Sequence, residues 1–221
     1  MKELMAPALS KLIGSSKGGY SFTRDKIVNS KTKKDISFSD AAKECFNRKI
    51  YLHAVGVWHG PKVHWDEEKG SGDAYFTYVY GCNAVELEIE APAGRVRLLS
   101  AIGAHDCGRA INPQMVQGQI YGGMMMGMGQ ALTEEIIVKD GKIENLNYNK
   151  YKIARSTDVP DMQALIIENP DPAGPWGAKS IGEPVNELMA GAIANAVYYA
   201  TGFRASKLPI KPEDILSGIK N

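Results

Sequence analysis

Along the last third of the chain, apolar residues fall at Val185, Leu188, Met189, Ala192, Ile193, Ala196 and Val197, a three- and four-residue spacing that predicts one amphipathic helix. Glu183 and Pro184 mark its start and Gly202 its stop, because proline at the first helical position wastes no needed donor and glycine accepts the left-handed C-terminal turn. Val116, Ile120, Met124 and Met128 predict a second helix, opened by Asn112 as cap and Pro113 as first residue. It carries Gly118, Gly122, Gly123, Gly127 and Gly129. Each glycine costs roughly 1 kcal/mol against alanine in a helix interior, so close packing or a ligand must recover the difference. Between its glycines, Met124, Met125, Met126 and Met128 suit a core of irregular gaps. Gln119 is the polar residue that needs a partner.

Elsewhere the period is two. Val85, Leu87 and Ile89 alternate with Glu86, Glu88 and Glu90, Ala91–Gly94 reads as a turn, and Arg95–Ile102 returns with Val96 and Leu98 in phase, an antiparallel hairpin. Tyr51–Trp58 and the whole of Ala74–Glu90 read as strand, with His59–Asp73 a solvated loop between them. A second hairpin is expected from Ile136–Val138 and Ile143–Tyr148 around Asp140-Gly141, and one more strand at Ala164–Glu168. Upstream, Glu3–Ile13 has helical spacing interrupted by Pro7, Gly14–Gly19 is a loop, Tyr20–Val28 a short hairpin, and Ser37-Phe38-Ser39-Asp40 introduces a helix over Ala41–Phe46. Lys207–Ile219 is a terminal extension anchored by Leu208, Ile210, Ile215 and Leu216. These elements predict an α+β fold, mixed or antiparallel sheets with hairpins packed against two long glycine- and alanine-rich helices. Residues 1–49 form an accessory segment and 50–221 the main body.

Composition narrows the function without naming it. The 221 residues allow one large or two small domains, and 26 Lys plus Arg against 25 Asp plus Glu leave no basic footprint for nucleic acid. No apolar run approaches a membrane span and the first residues lack a secretory hydrophobic region, so a cytoplasmic location is expected. Cys45, Cys82 and Cys107 are scattered, with no Cys-x-x-Cys pair, which argues against a disulfide framework and against a metal held by the chain's own side chains. Metal chemistry would have to arrive on a cofactor. Gly122–Gly127 lacks the spacing and the strand-turn-helix setting of a dinucleotide fingerprint. Glu183, at the head of its helix after a loop containing Gly177 and Gly182, is open to two readings, a helix cap or a catalytic base.

Five motifs in order resemble the xanthine dehydrogenase and aldehyde oxidase family of molybdenum hydroxylases. They are Asp106-Cys107-Gly108-Arg109 with Asn112-Pro113, Gly118-Gln119 with Gly122-Gly123, Thr133-Glu134-Glu135, Tyr151-Lys152-Ile153, and Gly177-Ala178-Lys179-Ser180-Ile181-Gly182-Glu183-Pro184. The resemblance runs over essentially the whole chain, most firmly from about Tyr80, and points to the last part of the family's molybdopterin-binding region. It implies that Glu183 is the catalytic base, that Gln119 with Gly118 contacts the pterin, and that Ala178, Lys179, Ser180, Ile181 and Gly182 offer backbone groups near the metal centre. The implied cofactor is molybdopterin-type, the cytosine dinucleotide form being one option, with 2Fe-2S and FAD centres on partner subunits of an oligomer. The implied reaction oxidises an N-heterocycle or an aldehyde with oxygen from water. The family's upstream cofactor and substrate loops have no counterpart here, so the chain is expected to be the carboxy-terminal piece of a split or truncated subunit, completed by an upstream chain and inactive alone. A non-catalytic assembly subunit and an unrelated α+β binding module are the alternatives.

Overall fold

The computed structural model describes residues 1–15 and 19–219, the side chain of Ile219 excepted. They divide into two compact units, Met1–Trp58 and His59–Asn221.

In the first unit, helix α1 (Lys2–Ile13) and helix α2 (Phe38–Asn47) accompany a three-stranded antiparallel sheet of β1 (Tyr20–Phe22), β2 (Lys26–Asn29) and β3 (Asp35–Ser37) in the order β1-β2-β3. Met5, Ala8, Leu9 and Ile13 of α1 meet Ile27, Ala41 and Cys45 in its core. Pro7 lies inside α1 and does not end it; the buried face on both sides of the proline offsets the lost donor. The expected hairpin gains a third strand, and α2 starts three residues before the expected Ala41 because Ser37 caps it, its hydroxyl accepting from Asp40 N at 3.0 Å. Buried Asn29 closes the end of α1, donating to the carbonyls of Ile13 and Gly14 at 3.1 and 2.8 Å. The loop expected over 14–19 lies partly outside the described residues.

Tyr51–Trp58 is not a strand. Tyr51 and Val55 are 81% and 85% exposed, and among the described residues no strand of any sheet includes the segment. β-propensity marks a residue that suits a half-buried pleated surface; without a partner strand it makes none.

The second unit opens with a small ribbon, β4 (His64–Asp66) paired with β5 (Ser71–Asp73), inside the segment expected to be a loop. Its main sheet has β6 (Gly81–Glu90), β7 (Arg95–Asp106) and, after helix α3 (Pro113–Leu132) and the short ribbon β8 (Val138–Lys139) with β9 (Lys142–Ile143), strand β10 (Asp161–Ile167). The order is β10-β7-β6. β6 and β7 form the expected antiparallel hairpin, although β6 begins only at Gly81, whereas β10 runs parallel to β7 so that α3 serves as a crossover. Helix α4 (Pro184–Thr201) lies beside α3, and α5 (Pro212–Ile219) follows. The expected second hairpin shrinks to two-residue strands because the Asn145 side chain takes over the ladder, accepting from Ile137 N at 2.9 Å and donating to Glu135 O at 2.6 Å.

Register decides which side of β7 reaches the helices. Glu86 pairs with Ser100 but Leu87 with Leu98, so Leu99 is an extra residue that bulges the strand. Before it Val96 and Leu98 face the core; after it the phase flips and Ala101, Gly103 and His105 turn inward. Gly103 then lets α3 settle on the sheet, since a Cβ there would lie 2.9 Å from Ile120 Cγ2. The core joins Leu98 and Ala101 with Val116, Ile120, Met124 and Met128 of α3 and Val185, Met189, Ile193 and Val197 of α4. Ile210 and Ile215 close it from the terminal extension, with Ile210 N donating to Ala131 O at 2.7 Å, while Leu208 stays exposed.

Candidate functional site

Helices α3 and α4 touch through glycine. A Cβ at Gly123 would lie 2.7 Å from Val185 Cβ, and one at Gly127 would lie 2.5 Å from Met189 Cβ and 2.8 Å from Asn186 O. Contact advances by four residues on both helices together, so they run parallel, and α3 continues for ten residues above the contact at Gly123. One turn up the same face of α3 comes Gln119, which is thereby level with the loop that leads into α4. Parallel packing therefore puts Gln119 at the end of the α3–α4 contact from which the chain runs back into that loop. Gln119 is exposed and forms no hydrogen bond among the described residues; it does not need the interior partner expected for it. Gly118 and Gly122 have no atom within 4 Å of a would-be Cβ, so of the expected close glycine pairs only Gly123/Gly127 is used between helices.

The loop before α4 is bound to the end of β7. Gly108 bridges Ala178, Arg109 N donates to Gly177 O at 2.8 Å, and Lys179 N donates to Cys107 O at 2.9 Å. Gly108 (φ 65°) is needed on two counts, its left-handed backbone and the carbonyl of Gly177, into which a Cβ would collide. Beneath this bridge the Lys179 ammonium meets Asp106 Oδ2 at 2.6 Å, with side chains only 5% and 6% exposed, while Asp106 Oδ1 accepts from Gly108 N at 2.8 Å. Burial pushes the Asp106 carboxyl up, but Lys179 and the Gly108 N–H outweigh it and hold it below the usual carboxylate range. The N–H of Ala178 donates to Pro175 O, so Ala178 and Lys179 have both spent their backbone donors within the chain. Those of Ser180, Ile181 and Gly182 have no partner among the described residues. Glu183 occupies the N-cap position of α4, yet its side chain makes no cap hydrogen bond and is exposed.

On the other side of the α4 start, buried His105 donates from Nε2 to Asn83 Oδ1 at 2.8 Å, and Asn83 Nδ2 donates to Val185 O at 3.0 Å. Burial lowers the His105 pKa, which keeps the ring neutral. An acid titration follows. The unfolded chain protonates His105 near pH 6.5 while the folded chain resists, so its contribution is full above about 6.5 and fades below it; that of Asp106, also depressed, is full above about 3.9 and fades below that. Thermal melts from pH 8 to pH 3 should show the midpoint falling in these two windows. The other histidines, His53, His59 and His64, are exposed. A midpoint flat between pH 7 and pH 5 would contradict the buried neutral His105.

Two motifs lie elsewhere. Thr133 and Glu134 end α3, both donating N–H to Gly129 O at 2.8 Å, and Glu134 Oε2 accepts from Tyr151 OH at 2.7 Å. Glu134 also raises the Tyr151 pKa through that bond. Thr133 is about 21 Å along the helix from Gln119, so these residues build the scaffold at its far end. Asp106, as the partner of Lys179, is a site residue that sequence reading passed over, as are Asn83 and His105. Their signal was hidden because Asp106 and Lys179 are 73 positions apart.

The donors left over, Ser180 to Gly182 and the Gln119 amide, with side-chain-free backbone at Gly118 and Gly122, suit an oxygen-rich ligand at the start of α4 or on the open face of α3. Comparison with known proteins agrees in kind. Residues 1–160 match the family model of the molybdopterin cofactor-binding domain; the loop carrying Glu183 lies beyond the match. The chain is 38% identical over 136 residues to the putative xanthine dehydrogenase molybdenum-binding subunit XdhA of Escherichia coli, covering 61% of this chain and 18% of that subunit. The aldehyde oxidoreductase structure from Desulfovibrio desulfuricans superposes with a TM-score of 0.68 at 30% identity, over 80% of this chain and 19% of that one. Quinoline 2-oxidoreductase from Pseudomonas putida shares the fold, with a TM-score of 0.74 at 24% identity over 99% of this chain and 28% of that one. The chain thus spans 18 to 28% of the length of these three proteins. Among the described residues no helix is long and apolar enough to cross a membrane.

Proposed function

The chain belongs to the molybdopterin cofactor-binding domain family, and we propose that it is the carboxy-terminal portion of the molybdenum subunit of a xanthine dehydrogenase- or aldehyde oxidase-like hydroxylase. The observation that carries this reading is the α4 start, with its unspent N–H groups at Ser180, Ile181 and Gly182 and the uncapped Glu183 carboxylate, while the Gln119 amide is free one turn above the α3–α4 contact at Gly123. Gly118, Gln119 and the loop Ala178–Gly182 hold the cofactor, with Ser180, Ile181 and Gly182 as the backbone donors and Ala178 and Lys179 shaping the loop from below. When bound, the molybdopterin group, in the cytosine dinucleotide form or another, supplies the two-electron redox centre.

Glu183 does the acid–base work. Its exposed carboxylate has no partner among the described residues and accepts the proton released as a water-derived nucleophile attacks the electrophilic carbon of an N-heterocycle or aldehyde, the electrons of the C–H bond passing to the redox centre. The Gln119 carboxamide can donate and accept, which suits a group with both kinds of edge. An upstream chain completes the pocket, with 2Fe-2S and FAD subunits carrying electrons onward in a cytoplasmic oligomer. Exposed Ile111, just before α3, and Met115 and Met126 on it agree with a surface that is covered in the assembly.

Molybdenum content tests the proposal. The chain purified alone should hold far less than one molybdenum per polypeptide, and the complex co-expressed with its upstream chain close to one. Equal, low content in both would refute the cofactor reading; a full complement in the isolated chain would refute the need for an upstream partner.

A further inference from the structure

We infer that the buried Asp106–Lys179 ion pair is a positioning device that sets the course of Ser180–Glu183, and that neither side chain touches the cofactor. The inference rests on the reading of Glu183 as base and goes beyond it to what aims that base. Between Lys179 and the first turn of α4 the chain has no internal backbone donor bond, and Gly182 stands in open space. Such a segment takes its direction from its two ends. One end is Val185, whose carbonyl receives the Asn83 amide and whose side chain sits against Gly123. The other is Lys179, fixed by its N–H to Cys107 O and by its ammonium to Asp106 Oδ2. Glu183 lies between them.

The choice of an ion pair is itself informative. Two charges with side chains 5% and 6% exposed are costly to bury, and an apolar pair would hold the core as well or better. What the charges add is direction. Asp106 is locked by Gly108 N at 2.8 Å on one oxygen and Lys179 at 2.6 Å on the other, and its own N–H donates to Tyr80 O at 2.9 Å. The Tyr80 ring stands 5.9 Å from the ammonium. The lysine can therefore occupy one place, and the backbone that carries it follows. The same contacts take the Lys179 ammonium and N–H away from any ligand.

The test uses Lys179→Met and the charge-free double variant Asp106→Asn/Lys179→Met, which leaves no lone buried charge and so remains available if the single variant fails to fold. In the nitrogen-15-labelled chain, amides of Ser180, Ile181 and Gly182 should have order parameters near those of α3, about 0.85, falling below about 0.6 in the double variant while α3 stays unchanged. In the assembled enzyme, turnover per bound molybdenum should fall about tenfold to hundredfold with KM little altered, as expected of a misplaced catalytic group. A purely structural pair would lower the yield of loaded enzyme and leave turnover per molybdenum intact, and that result, or unchanged order parameters, overturns the inference. If Glu183→Gln turns over like wild type, the base assignment falls separately, and the order parameters still decide whether the pair directs the loop.

Discussion

Glu183→Gln in the assembled, cofactor-loaded enzyme is expected to lower turnover by about a hundredfold to ten-thousandfold while leaving the fold almost untouched. The amide keeps the size of the side chain and loses the proton acceptor. A cap would behave the other way, losing stability and keeping turnover. In the structure the Glu183 side chain makes no hydrogen bond to the first turn of α4 and is exposed, so what it adds as a cap is its charge at the helix start alone. The stability of the isolated chain should therefore hardly respond, and the reductive half-reaction with molybdenum content matched is the measurement. A variant that reduces its metal centre at close to the wild-type rate removes Glu183 from the chemistry.

Gly127→Leu is expected to be the most damaging substitution in the α3–α4 contact. Even its Cβ would meet Met189 Cβ at 2.5 Å and the backbone oxygen of Asn186 at 2.8 Å, and the second of these cannot move without shifting α4. Overpacking of this kind costs about 1 to 3 kcal/mol or more. At roughly 2 to 4 °C per kcal/mol for a chain of this length, the midpoint should fall by about 2 to 12 °C. Gly123→Leu should follow, against Val185 Cβ at 2.7 Å. Gly122→Leu should not, because nothing lies within 4 Å of its would-be Cβ. Its cost should appear only in the assembled enzyme, as lost molybdenum, if that face of α3 receives the cofactor. Melting curves of the three variants separate these cases, and a stable Gly127→Leu would refute the close contact.

The glycines show how far sequence reading reached. Five glycines in one helix demanded an explanation, but spacing alone paired Gly118 with Gly122 as readily as Gly123 with Gly127, since both pairs are four apart. Only the position of α4 distinguishes them. Local chemistry was more readable. Asn112 and Ser37 cap their helices through Met115 N and Asp40 N, and Gly202 closes α4 at φ 78° with its N–H on Tyr198 O, because caps and stops depend on neighbours within a few residues. The strand assignments that failed, Tyr51–Trp58 and Ala74–Tyr80, had suitable residues but join no sheet among the described residues. A strand is a property of two segments.

From the sequence alone came the two long helices and their ends, the β6–β7 hairpin, the α+β class and the motifs that point to a molybdenum hydroxylase, all features encoded in periods and short spacings. The tertiary structure alone decided three things. The bulge at Leu99 reverses the phase of β7 and carries His105 inward, glycine contact at Gly123 and Gly127 packs α3 and α4 parallel, and Lys179, expected at the cofactor, has its ammonium buried against Asp106. Each depends on groups far apart in the chain through contact and exclusion of water, and none leaves a trace in the order of residues, because an ion pair between residues 73 positions apart looks the same in sequence as one that never forms.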